Sequence, residues 1–155
     1  MVHHLNRETY RRWKVILEIE RFISANDNAY FETRRKFYAN YYRQLQRLLD
    51  CDQLSIKRGP LNEIIAVCGW ALIRKSDEWD VNKVRWTLPK NLCEGNVLYV
   101  SFCVARDGGF KDIRKELVER YQDKIDEMYW FSAKKHKFIR RKNTLKEMKL
   151  CKTAA

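Results

Sequence analysis

The chain lacks the short motifs that would announce a metal or a nucleotide. Its five cysteines, Cys51, Cys68, Cys93, Cys103 and Cys151, form no C-x-x-C pair and have no histidine partners at zinc-ligand spacing. That argues against a zinc site and a disulfide framework, and an odd count suits reduced thiols in a cytosolic protein. No Gly-Lys-Ser/Thr follows its glycine turn, which excludes a P-loop. The longest apolar run, Ile64–Ile73, has ten residues. A membrane span needs about 20. With no cleavable signal pattern, internal repeat or low-complexity linker, the expectation is one cytoplasmic domain over residues 1–155, without a metal.

Positive charge is what the chain has in excess. Its 155 residues are 45% hydrophobic and 34% charged, enough for one well-formed core, and they carry a net charge of +12. Residues 131–155 hold seven Lys and two Arg against one Glu, a net +8. A balance of this kind implies an anionic partner: nucleic acid, a phosphorylated cofactor, an acidic carrier protein or an anionic surface. The basic residues Lys134, Lys135, Lys137, Arg140, Arg141 and Lys142 surround Phe138. An aromatic ring among phosphate-binding cations suits nucleic acid, and the same surface suits an acidic acyl carrier or the phosphates of coenzyme A.

Periodicity orders the elements. Helical spacing covers residues 6–25, with Tyr10, Trp13, Ile16, Leu17 and Ile23 as the apolar stripe. A second helix over 29–50 carries Phe37, Tyr38, Tyr41, Tyr42, Leu45 and Leu48 on one face. Strands are expected at 53–57, at 64–73 (covered on both faces, with Gly69 marking a bulge or close approach), at 83–88 and at 97–105. In the last of these, Tyr99, Ser101 and Cys103 alternate with Leu98, Val100, Phe102 and Val104. A helix over 111–121 and a strand over 127–133, parallel to the one before it, complete a βαβ unit. Residues 134–142 read as a return strand and 143–151 as a short basic helix. The fold class is therefore α+β: a mixed, mostly antiparallel sheet with two N-terminal helices and a βαβ unit.

The one glycine pair sits in Arg106-Asp107-Gly108-Gly109-Phe110-Lys111, between strand and helix. Helix N-termini after such turns attract anions, because free N–H groups and the helix dipole point at the ligand. Together with the element order, this turn resembles the Arg/Gln-x-x-Gly-x-Gly/Ala motif of the GNAT superfamily of N-acetyltransferases, most sharply over residues 64–139. Arg106 and Gly109 match, and Lys111 stands where the family has a small residue. Ala66-Val67-Cys68-Gly69-Trp70-Ala71 is similar to a strand of the toxin-activating lysine acyltransferases within that superfamily. The resemblance implies transfer of an acyl group to an amine, from acyl-coenzyme A (acetyl-coenzyme A foremost) or from acyl carrier protein. It implies donor contacts at Val104, Arg106, Gly108 and Gly109, continuing through Phe110, Lys111 and Arg114. The catalytic Asp of the toxin-activating enzymes falls on Ser101, and their N-terminal His has only His3 or His4 to match it.

Acyl transfer from a thioester needs a positioned neutral amine, an N–H for the oxyanion, a base, and a proton for the leaving thiolate. A splayed or bulged strand near Val104 supplies the N–H in this reading. Ser101, Tyr99 and the central His136 are the catalytic candidates. The alternative is a non-catalytic or DNA-directed protein that binds nucleic acid through its basic surface.

Overall fold

The computed structural model describes residues 7–26, 38–74, 76, 88, 90–106, 108–121, 123–132, 135 and 137–142. For residues 38–41, 131, 132, 138 and 142 only the backbone is described. The expected strand at 83–87, the basic helix at 143–151, the start of the second helix at 29–37 and His136 lie outside this set.

The chain is α+β, with three helices and one five-stranded mixed sheet among the described residues. Helices α1 (Arg7–Asn26) and α2 (Tyr38–Asp50) precede strands β1 (Leu54–Arg58), β2 (Ile64–Ile73) and β3 (Val97–Ala105). Helix α3 (Gly109–Tyr121) then leads to β4 (Glu127–Ser132) and β5 (Lys137–Lys142). Spatial order follows chain order, β1-β2-β3-β4-β5. Every neighbouring pair is antiparallel except β3 and β4, which are parallel as a helical crossover requires.

Two apolar layers sandwich the sheet. On one face Ile16, Ile19, Phe22 and Ile23 of α1 and Leu45 and Leu48 of α2 meet Val67, Ala71 and Tyr99. On the other, Ile113, Leu117, Val118 and Tyr121 of α3 meet Ala66, Cys68, Trp70 and Leu98. Strand β2 is buried from both sides, as its unbroken apolar run requires. The stripe of α1 departs from expectation. The first two turns, residues 7–14, are exposed throughout, and Tyr10 and Trp13 remain 48% and 47% accessible. The stripe begins at Ile16 and continues through Ile19 and Ile23, at three- and four-residue steps.

The strict alternation expected of β3 is also corrected. Between β2 and β3 the register slips: Gly69 faces Phe102, but Trp70 faces Val100. Ser101 is the extra residue of a β-bulge, and one extra residue reverses which side chains face which layer. Phe102 and Val104 therefore join Tyr99 under the N-terminal helices, while Cys103 joins Leu98 and Val100 under α3. Gly69 is what admits the bulge. A Cβ there would lie 2.6 Å from the Phe102 ring and 2.7 Å from Leu48. A second slip between Lys57 and Arg58 leaves Ile65 unpaired and returns Ile64 to the α1 side.

Helix α3 is tied down at both ends. At its start Gly109 is buried, with room for nothing larger: a Cβ would stand 2.6 Å from that of Ala66 and 3.1 Å from the Ile65 carbonyl. At its end the Trp70 indole N–H donates to the Tyr121 hydroxyl at 2.7 Å, with the rings edge-to-face and the Arg120 guanidinium over both. Gly109→Ala should cost about 2 kcal/mol by overpacking. Adding Ala66→Gly should recover part of that loss if the contact is the cause, which paired urea denaturation of the single and double variants measures.

Candidate functional site

The polar ties of α3 pull it toward one edge of the sheet. Glu116 accepts from the Ser55 hydroxyl and pairs with Lys57 at 3.1 Å, both on β1. Arg120 reaches the carbonyl of Asp52 at 2.6 Å. The helix thus lies across β1, β2 and β3. Beside it, over β3 and β4, a cavity of about 380 Å³ opens. Its wall is apolar: Val100, Ile113, Leu117, Met128 and Trp130, with the thiols of Cys68 and Cys103. Phe110, 56% exposed, contributes an apolar ring, and Arg114 and Arg141 bring the charge. The Arg141 guanidinium lies 6.0 Å from the Trp130 ring centre, which holds it against that wall.

Strand geometry explains why the cavity is there. The parallel register of β3 and β4 runs from Val97↔Glu127 to Val100↔Trp130 and, among the described residues, goes no further. Strand β3 continues for five more residues, 101–105, past the bulge. The hydrogen bond from Arg106 N–H to the Ile65 carbonyl, 2.8 Å, fixes the phase of the antiparallel ladder with β2. Alternation from that point makes Val67↔Val104 a hydrogen-bonded pair and Cys68↔Cys103 a non-hydrogen-bonded one. The Val104 amide is therefore directed at β2. The amides of Cys103 and Ala105 face the β4 side.

The candidate residues distribute as follows. Phe110 and Arg114 reach the cavity. Val104 is buried under the N-terminal helices. Arg106 is exposed, with its guanidinium 5.9 Å from the Phe22 ring centre on α1. Gly108 takes a positive φ of 80° in the turn. The Gly109 amide donates to the Arg106 carbonyl and the Lys111 amide to that of Gly108, so the turn itself engages two of the N–H groups assigned to an anion. The Lys111 side chain is exposed. Tyr99 is 1% exposed and packs against Tyr129 on the helix-covered face, away from the cavity. Ser101, half-buried, is the bulged residue next to Val100 on the cavity wall.

In the basic segment, Arg140 is paired within the protein, whereas Arg141 is exposed and lines the cavity. Arg140 pairs with the buried carboxylate of Glu127 at 2.5 Å and lies over the Tyr129 ring. Lys135 and Lys137 are exposed. Lys134 lies outside the described residues, as do the side chains of Phe138 and Lys142. Arg140→Ala removes the cation facing a buried carboxylate and should cost about 3 kcal/mol, against well under 1 kcal/mol for exposed Lys137→Ala. Chemical denaturation of the two variants tests the difference.

Sequence reading missed the cavity wall. Met128 and Trp130 sit on alternate positions of β4, across from Tyr129, a pattern visible once the strand's faces are assigned. It also missed Glu20, a carboxyl on α1 that is 9% exposed. No described group hydrogen-bonds its Oε1, and burial raises its pKa above the ordinary carboxylate value. The folded state thus binds this proton more tightly than the unfolded chain, and stability falls as pH rises from the ordinary carboxylate pKa through the raised one. Glu20→Gln should abolish that decline and raise Tm at pH 8, while leaving it nearly unchanged at pH 4. Thermal unfolding at the two pH values measures it.

Among the described residues no helix is long and apolar enough to cross a membrane, and no cluster of three or more His, Cys, Asp or Glu could hold a metal. Comparison of the chain with models of known protein families found no match, and comparison with curated proteins found none either.

Proposed function

We propose that this chain is an N-acyltransferase of GNAT-like architecture. Its acyl donor, acyl-coenzyme A or the thioester of an acyl carrier protein, enters the cavity between α3, β3 and β4, and an amine accepts the acyl group. The observation that carries this reading is the cavity itself: an apolar chamber of about 380 Å³ beside the end of a parallel strand pairing, with Arg114 and Arg141 in its lining. That volume lies in the range of small-molecule sites. An acyl chain buried against Val100, Ile113, Leu117 and Met128 gains about 0.8 kcal/mol per methylene, and the two guanidiniums suit the donor's phosphates.

The chemistry is mainly positional. A thioester carbonyl drawn toward the β4 side of β3 meets the amide of Cys103 or Ala105, either of which serves a developing oxyanion. None of the described residues lining the cavity is a histidine or a carboxylate, so proton removal from the amine falls to water or to a group outside the lining. Ser101 is the nearest hydroxyl along β3 for the leaving thiolate.

Thermal unfolding with an acyl-coenzyme A series tests the reading. A donor at about a hundred times its Kd should stabilise the protein by about 2.7 kcal/mol. Val100→Phe, which fills the chamber, should remove the response to long chains first. Arg114→Glu, a charge reversal at an exposed position of the lining, should weaken every coenzyme A ester about tenfold, read as the loss of the ligand-induced shift relative to the variant's own unliganded Tm. Stabilisation by duplex DNA and by no acyl-coenzyme A of any length would contradict the proposal.

A further inference from the structure

Four of the five cysteines lie in two pairs. Cys51, where α2 ends, contacts Cys93 of the 90–96 segment, which the Gln53 side chain and a bridge to Leu72 hold in place. Cys68 and Cys103 face each other across β2 and β3. The second pair has the geometry of a reactive dithiol. As a non-hydrogen-bonded antiparallel pair, its Cα atoms stand roughly 4.5 Å apart, and a disulfide spans about 4.4–6.8 Å. Both thiols line the cavity, but unequally: Cys103 is half-buried and Cys68 only 1% exposed. An oxidant entering the cavity therefore meets Cys103 first and finds Cys68 behind it.

We infer that Cys103 is a hydroperoxide-reactive site and that Cys68 is its resolving thiol, the two closing to a disulfide in the cavity wall. Unequal exposure divides the roles, with Cys103 open to the cavity and Cys68 behind it. The interaction between the two thiols runs the same way: it raises the pKa of Cys68, which burial raises further, and lowers that of Cys103. The Cys103 thiolate attacks one peroxide oxygen, the O–O bond breaks, and sulfenic acid and hydroxide form. The Cys68 sulfur then attacks the sulfenic sulfur, its proton leaves with the hydroxyl as water, and the S–S bond forms. Two electrons pass from the thiol pair to the peroxide, and the net products are one disulfide and two waters. Nothing in this scheme depends on which ligand the cavity takes.

The test treats the reduced full-length protein with one equivalent of hydrogen peroxide, alkylates the remaining thiols under denaturing conditions and maps the peptides by mass spectrometry. The expected product is a Cys68–Cys103 cross-link that dithiothreitol reverses. In Cys68→Ala, sulfenic acid should persist on Cys103 and be trapped by dimedone, while in Cys103→Ala, Cys68 should remain reduced. Mapping of the unsubstituted protein decides the matter even if either variant folds poorly. A Cys51–Cys93 cross-link with Cys68 and Cys103 both still alkylated would overturn the inference, as would no cross-link at all or dimedone on Cys68.

Discussion

The contact between Gly69 and the Phe102 ring, where β2 passes the bulge in β3, organises the centre of the molecule. A side chain at position 69 would collide with that ring and with Leu48 of α2. With glycine there, β3 accommodates Ser101 as an extra residue and exchanges its faces. Phe102 and Val104 turn to the N-terminal helices and complete one core, and Cys103 turns to the other side, where the cavity lies. Without the bulge, Phe102 would project into the space the cavity occupies and Cys103 would be sealed under α1 and α2.

The second determinant is where α3 sits. Its ties at Glu116 and Arg120 lead to the β1 edge and the turn before it, and its glycine start presses on Ala66 of β2. Each tie draws the helix away from β4. Among the described residues, parallel pairing of β3 and β4 ends at Val100↔Trp130, on the side left uncovered. Helix offset and strand separation together make the chamber, and apolar residues from α3, β3 and β4 line it. Two arginines from different elements, Arg114 of α3 and Arg141 of β5, contribute to the same wall.

Much of this order was legible in the sequence because each element carried its own period. The unbroken run Ile64–Ile73 reads as a doubly covered strand, and it is one. The glycine turn reads as a helix start, and α3 begins at Gly109, two residues earlier than expected. Gly69 reads as a bulge or a close approach, and both occur there. What periodicity does not carry is the consequence of a bulge: one inserted residue inverts every later side chain, so Cys103 could not be assigned to a face from alternation alone. The cavity was illegible for a related reason. Its lining comes from β2, β3, α3, β4 and β5, and an empty volume between elements leaves no signature in any one of them. In the basic segment composition reads a surface, and Arg140 and Arg141 are exposed, but no local pattern reveals that Arg140 also pairs with the buried carboxylate of Glu127 or that Arg141 lines the cavity.

The most direct measurement is the location of a bound donor. A hydrolysis-resistant acyl-thioether of coenzyme A, titrated into isotope-labelled protein, should perturb the amide and methyl signals of Val100, Cys103, Ile113, Leu117 and Met128. Those shifts should saturate together. Perturbations confined to the exposed face of β5, or none along β3 and α3, would contradict an acyl-donor site in this cavity.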